Sequence, residues 1–325
     1  MNGRVAAAKL AGNTKMGVGV GLGLAEFTFA GARGYWEWVG MCEERGVDSI
    51  WQIDRLASRE PFLECMTTMA ALAGATRKLK FGMNVASAGL RDPLLLAKQC
   101  ATVDMLSEGR LLPAFGIGSA STSIWSATNQ VTKARGKRTN EALELIQRLW
   151  TEDSVNFDGE FYKYTDACIA PKPVQKRIPF WLGGSSPAAV RRTARFGTGW
   201  LAGLETPAVV APVIAGIKAA AKEAGRPIDE DHFGASFPFR FGRMDDAVVQ
   251  RAAAAFEKRT GRHAPEYFGV GNAEDIIERL RNFVGAGAYK FVLRPISDGD
   301  ADTMRQTELL IDEVLPVVHA KGFAA

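Results

Sequence analysis

Histidine is scarce in this sequence: His232, His263 and His319 are the only ones in 325 residues. The four cysteines, Cys42, Cys65, Cys100 and Cys168, form no CxxC pair. A metal centre with the usual His or Cys spacing is therefore not expected. Three of the cysteines sit in apolar helical patterns and read as reduced and buried, as in a cytoplasmic enzyme. No apolar run reaches the roughly 20 residues of a membrane span. Blocks of like charge are missing too. The 40 basic and 36 acidic side chains leave a net charge of +4, too mild for a nucleic-acid footprint. The opening "MNGRVAAAKLAGNTK" has no continuous apolar core, so residues 1–15 read as a short tail rather than a secretory leader.

What the chain does have is alternation. At 47% apolar and 23% charged it is ordinary globular material. Apolar strand-like runs fall at 16–24, 48–54, 79–87, 110–119, 179–184, 199–203, 232–242 and 289–297. Each is followed by a stretch of helical spacing, several with Pro at entry and Gly at exit, as in "DPLLLAKQCATVDMLSEG". Pro238 inside the seventh run argues for a bulge or an early end there. The expected fold class is α/β, a (β/α)₈ TIM barrel occupying 16–325 as one domain. A doubly wound sheet is the rival. Loop insertions are expected at 119–137, 154–175 and 243–270. The second contains "NFDGEFY", a hairpin signal with Asp158-Gly159 at its turn.

In such a barrel chemistry belongs at the carboxyl ends of the strands. "GGSSP" (183–187) stands between the fifth strand and its helix, where free backbone N–H groups and serine hydroxyls suit an anion such as phosphate. A capped turn needs the same residues. "GVGVGLG" invites a dinucleotide reading, but its glycines alternate within a strand instead of making the strand-to-helix turn. Phe27, Phe29, Trp51 and Trp200 are aromatics available to a pocket wall, though such residues are more often core. Trp125, in a polar loop, reads as lining a site or an oligomer contact.

The segments "RDPLLLAKQCATVDMLSEGRLLPAFGIGS", "RTNEALELIQRLW", "DGEFY", "PKPVQ" and "IPFWLGGSSPAAVRRTARFGTGWL" occur in one order and spacing. In these the chain resembles the bacterial luciferase-like family of flavin-dependent oxidoreductases. The resemblance implies the same barrel and a bound FMN or 5-deazaflavin coenzyme. The cofactor phosphate would lie at Gly183, Gly184, Ser185 and Ser186, assisted by Arg138. The ring would lie near Asn84, Val85, Ala86, Gly118 and Ser119. A non-proline cis peptide is implied around Val85–Ala86. Asp54 and Arg55 are the implied catalytic pair, with Arg55 where many members carry His. A guanidinium stays protonated near neutral pH. Arg55 would therefore orient an anionic substrate or ring oxygen, or pair with Asp54. After strand four the deazaflavin branch often has Glu; "GIGSAS" has none, which favours FMN.

The implied activity is an FMN-dependent monooxygenase acting on a small organic substrate through a peroxyflavin. A flavin reductase or NAD(P)H would supply electrons, and a homodimer is expected. The alternatives are a deazaflavin-dependent hydride-transfer enzyme and a non-catalytic flavin-binding protein.

Overall fold

The computed structural model describes residues 17–120, 123–175, 178–320 and 322–324. The tail expected over 1–15 lies outside them. The elements are, in order, β1 (Gly19–Gly23), α1 (Ala32–Glu44), β2 (Ser49–Gln52), α2 (Cys65–Ala75), β3 (Lys80–Met83), β4 (Ala86–Ser87), α3 (Pro93–Leu106), β5 (Leu111–Leu112), β6 (Ala114–Gly116), α4 (Ile124–Ala127) and α5 (Arg135–Thr151). A hairpin, β7 (Val155–Asp158) and β8 (Lys163–Ala167), interrupts the alternation. Then come β9 (Trp181–Gly183), α6 (Pro187–Phe196), β10 (Gly199–Leu201), α7 (Pro207–Glu223), β11 (Phe233–Phe241), α8 (Ala247–Thr260), β12 (Gly269–Gly271), α9 (Ala273–Gly285), β13 (Lys290–Pro295) and α10 (Gly299–Leu309).

The parallel sheet closes on itself. β13 pairs with β1, β1 with β2, β2 with β3, and the circuit returns through β9, β10 and β11. The gap between the third and fourth walls is bridged twice, by β3 with β5 and by β4 with β6. Short β12 adds to the outer part of β11. Counting β3–β4 and β5–β6 as one wall position each gives the expected barrel of eight.

Alternation along each strand sorts the side chains. On β1, Val20 and Leu22 face the helices in the main core, together with Phe291 and Leu293 of β13. A separate inner cluster fills the barrel: Trp51, Ala114, Trp181, Leu201 and Val292, with Val85 and Leu112 against it. Glycine at 21 on β1 fits this layer, although a Cβ there would meet Ser49 Oγ first. A Cβ on Gly21 would stand 2.9 Å from Trp51 Nε1. On Gly82 it would stand 2.7 Å from the Trp51 ring and collide with the Leu112 carbonyl; on Gly199 it would stand 2.7 Å from Trp181. Below this layer Lys290 pairs with Asp48 at the amino end of the barrel.

The structure corrects one expectation about β11. It neither bulges nor stops at Pro238 but runs through to Phe241. Odd-numbered residues there offer their carbonyls to the β13 side, as Phe239 does to Ile296, whereas Gly234 bonds Ala202 on the β10 side. Pro238 shares the phase of Gly234, and β10 has already ended at Leu201 while β12 pairs only from Phe239. The missing N–H therefore faces a gap in the ladder and costs no bond. The hairpin forms as expected, with Asp158 closing β7 and the turn running from Gly159 to Tyr162. Glu141 of α5 clasps that turn by accepting from the amides of Glu160, Phe161 and Tyr162 at 2.8–3.2 Å. The final helix is not continuous to 318. α10 passes into a π-helical turn, Leu310–Val314, ahead of Pro316, which has no N–H to give the preceding turn.

The packing inside the barrel makes a direct prediction. Gly82→Ala should destabilise the fold by about 1–3 kcal/mol in urea unfolding, since overpacking meets a backbone carbonyl that cannot rotate away. An unchanged midpoint would contradict the tight inner layer.

Candidate functional site

The carboxyl ends of the strands bring the sequence-nominated residues to one rim. At the third wall the chain passes from β3 through Asn84 and Val85 to β4. The cis peptide lies between Asn84 and Val85, one residue before the expected position. Val85 leans inward between two glycines. A Cβ on Gly116 would stand 2.8 Å from its Cγ2, and one on Gly183 would stand 3.4 Å from both methyls. The small residues at the fourth and fifth strand ends thus make room for one apolar shelf in the mouth of the barrel. Beside it, Asn84 Nδ2 is buried and has no hydrogen-bond partner among the described residues. Buried donors are rarely left unpaired, so this amide points to an acceptor that the chain does not supply.

The fifth wall provides the second half. Gly184 takes a positive φ of 105°, a conformation suited to glycine, and its carbonyl accepts from Trp200 Nε1 at 2.9 Å. Ser186 caps α6, its Oγ accepting from the Ala189 amide at 3.3 Å, and Pro187 opens the helix. The Ser185 hydroxyl has no partner among the described residues. The α6 amino end therefore offers its dipole and a free hydroxyl beside the Val85 shelf.

Arg138 sits in the first turn of α5, with its guanidinium 5.2 Å from the Phe161 ring centroid and bonded to the Gln130 side chain. Its charge is thus turned towards the hairpin. Gly118, at φ 69°, lies over Ser87 and Trp125. Trp125 corrects another expectation: at 3% exposure it is part of a small core with Leu90 and Ile124. Its Nε1 donates to the Ser119 carbonyl at 2.9 Å, which fixes the start of the loop after strand four.

Asp54 and Arg55 do not pair with each other. Asp54 takes a forked bond from Arg91, at 2.7 and 2.8 Å, and a third from the Ser87 amide at 2.9 Å. Its side chain is 1% exposed. Arg91 also reaches Glu64, the N-cap of α2, at 3.0 Å. Burial works to raise the Glu64 pKa, but the amides of Thr67 and Met66 and the Arg91 bond outweigh it, and the net direction is down. Cys65 completes the group, its thiol pushed well above its usual range by burial first and then by Asp54. It is therefore a neutral thiol and not a nucleophile. The donor atoms of Asp54, Glu64 and Cys65 lie together as metal ligands can, but the cation among them is the Arg91 guanidinium. Asp54 acts here as a strut, tying the second wall to the amide of β4 beside the shelf. Arg91 was missed in the sequence, although its place immediately before the Asp92 N-cap was a signal. Arg55 instead follows the carboxyl end of β2, its guanidinium 5.1 Å from the Phe62 ring centroid.

A sequence match to "luciferase-like monooxygenase" covers residues 14–290. The chain belongs to the luciferase-like monooxygenase family. Among curated members, an uncharacterised protein of Mycobacterium tuberculosis is 35% identical over 171 residues, covering 51% of this chain and 57% of that protein. The F420-dependent glucose-6-phosphate dehydrogenase of Amycolatopsis mediterranei is 31% identical over 180 residues, covering 53% of each chain. The match thus spans about half the length of these family members. Among solved structures of the fold, an F420-dependent secondary alcohol dehydrogenase aligns with a TM-score of 0.81 at 20% identity, over 94% of this chain and all of that one. The oxygenating constituent of 3,6-diketocamphane monooxygenase of Pseudomonas putida, in complex with FMN, aligns with 0.73 at 17%, over 93% of this chain and 99% of that one. Of the described residues, no helix is long and apolar enough to cross a membrane.

The strut can be tested by a cycle. Asp54→Leu alone should cost about 3–5 kcal/mol, because it leaves Arg91 buried beside fewer carboxylate oxygens. Adding Arg91→Met should recover part of that loss. Additive losses in denaturant unfolding would show that the two side chains do not act as a pair.

Proposed function

We propose that this protein is an oxidoreductase that holds a tricyclic flavin-type coenzyme against the Val85 shelf, and that the coenzyme is the deazaflavin F420. The observation that carries the first part is the unpaired Asn84 amide beside that shelf. It is a donor set to meet a ring carbonyl or nitrogen, where an apolar platform would meet the ring face. Ser185 and the amino end of α6 would take the anionic tail. When bound, such a ring supplies the hydride or electron chemistry that no side chain here can supply. The chain's own task is to orient and to exclude water. Val85, Trp51 and Trp181 close the floor of the mouth, and the Asp54–Arg91 strut keeps the third wall in place.

The preference for F420 rests on curated family members named as F420-dependent glucose-6-phosphate dehydrogenases and reverses the ranking expected from the sequence. In that reading the coenzyme, when bound, would supply hydride-transfer chemistry that needs no oxygen. One feature favours a second reading, an FMN-dependent monooxygenase: the loop after strand four has Ser119 and no carboxylate in "GIGSAS", the segment in which the deazaflavin branch often carries Glu.

Equilibrium binding separates these. The purified protein should bind F420 with higher affinity than FMN, and Ser185→Ala should weaken the bound coenzyme by about tenfold, the worth of one charge-assisted hydrogen bond. Preferential binding of FMN would move the assignment to the second reading. Binding of neither would refute both.

A further inference from the structure

Three arginines converge on the rim opposite the α6 amino end. Arg294 lies on the inner face of β13, two residues beyond the buried Val292. Its Cγ stands 3.7 Å from where a Cβ on Gly23 would be, so the bare end of β1 leaves it room to lie in the mouth. Its Nη2 donates weakly to Ser236 Oγ at 3.3 Å, and its Nε is buried with no partner. Arg55 follows the end of β2. Arg259 is brought in from above, in the last turn of α8. That helix is anchored over the mouth by Phe256, which packs with Ile296 and Leu204, and by Arg262, which donates to the Leu204 carbonyl at 2.8 Å.

Most neighbouring arginines are neutralised: Arg91, Arg240, Arg251 and Arg262 each hold a carboxylate. Among the described residues, Arg55, Arg259 and Arg294 hold none. Each feels the next. Burial and then the charge of Arg55 lower the pKa of Arg259; burial and then the charge of Arg259 lower Arg294 to about 10. Neither shift is large enough to discharge a guanidinium at neutral pH. Like charges gathered in a partly dry mouth are costly without a counter-ion, and guanidinium forks match the geometry of an oxyanion.

Position on the barrel says which ligand this is. β1, flanked by β13 and β2, stands four wall positions from β9 in either direction. The arginines therefore lie across the mouth from Ser185 and Ser186, with the Val85 shelf on the rim between. We propose that Arg55, Arg259 and Arg294 form the subsite for an oxyanion group carried by the substrate. It rests on the coenzyme reading above for the word substrate, but the anion site itself does not depend on that reading. The substrate class is an organic molecule bearing a phosphate, sulfonate or carboxylate, anchored at that group so that its reacting carbon reaches over the shelf.

The experiment uses the coenzyme-free protein and inorganic phosphate and sulfate as probes, by calorimetric titration at low ionic strength. Both should bind. Arg259→Gln, on the exposed helix, should weaken binding at least about tenfold, and Arg294→Met should do so further if it folds. Ser185→Ala should leave this arginine-dependent binding unchanged, and saturating F420 or FMN, which would fill the α6 site, should leave it in place. Unchanged affinity in folded Arg259→Gln would overturn the proposal. So would displacement of phosphate by the coenzyme together with loss of phosphate binding in Ser185→Ala, since the anion would then be occupying the tail site. Arginine-dependent phosphate binding in a protein that takes up neither coenzyme would uphold this subsite while refuting the function proposed above.

Discussion

The interior of this barrel is filled by two indoles, and the rest of the inner wall is arranged around their bulk. Trp51 and Trp181 occupy space that eight strands would ordinarily fill with branched aliphatic side chains. A Cβ on Gly199 would meet the Trp181 indole first, while one on Gly21 or Gly82 would crowd Trp51 and collide even more closely with Ser49 or the Leu112 carbonyl. One layer higher the same trade is repeated, with Gly116 and Gly183 giving way to Val85. The glycine-rich strand that resembles a nucleotide loop is thus a packing device. The apolar shelf is its upper edge.

Above that layer polar residues take over, and they divide by role. Asp54, Arg91, Glu64 and Cys65 satisfy one another and the Ser87 amide, so the group is closed and serves the architecture. Asn84, Ser185 and Arg294 keep donors that the protein does not use. In a folded chain that pairs nearly all its buried polar atoms, open donors gathered at one rim are the strongest local sign of ligands.

Much of this was legible in the order of residues. The eight apolar runs gave the wall positions because strand period and helix period differ so clearly, and "SSP" marked the α6 cap through well-known end preferences. Pro238 misled because a rule about ladders was applied without knowing which side of β11 its nitrogen faced. Trp125 misled because a polar surrounding sequence hid a small core made with Leu90. The partner of Asp54 could not be read at all. Adjacency favoured Arg55, whereas the fold delivers Arg91 from thirty-seven residues away. Arg259 was hidden, since a cluster assembled from β2, α8 and β13 leaves no trace in spacing.

The source of Arg259 has an evolutionary corollary. Two of the three cations belong to the strand ends themselves, but this one is supplied by a helix inserted after β11, held by apolar contacts to Leu204 and Ile296. A segment attached in that way can be exchanged, shortened or recoloured in charge without disturbing the indole-filled cylinder beneath it. Descendants of this chain could therefore change what they accept by editing one appendage, while the half of the rim that faces α6 stays as it is.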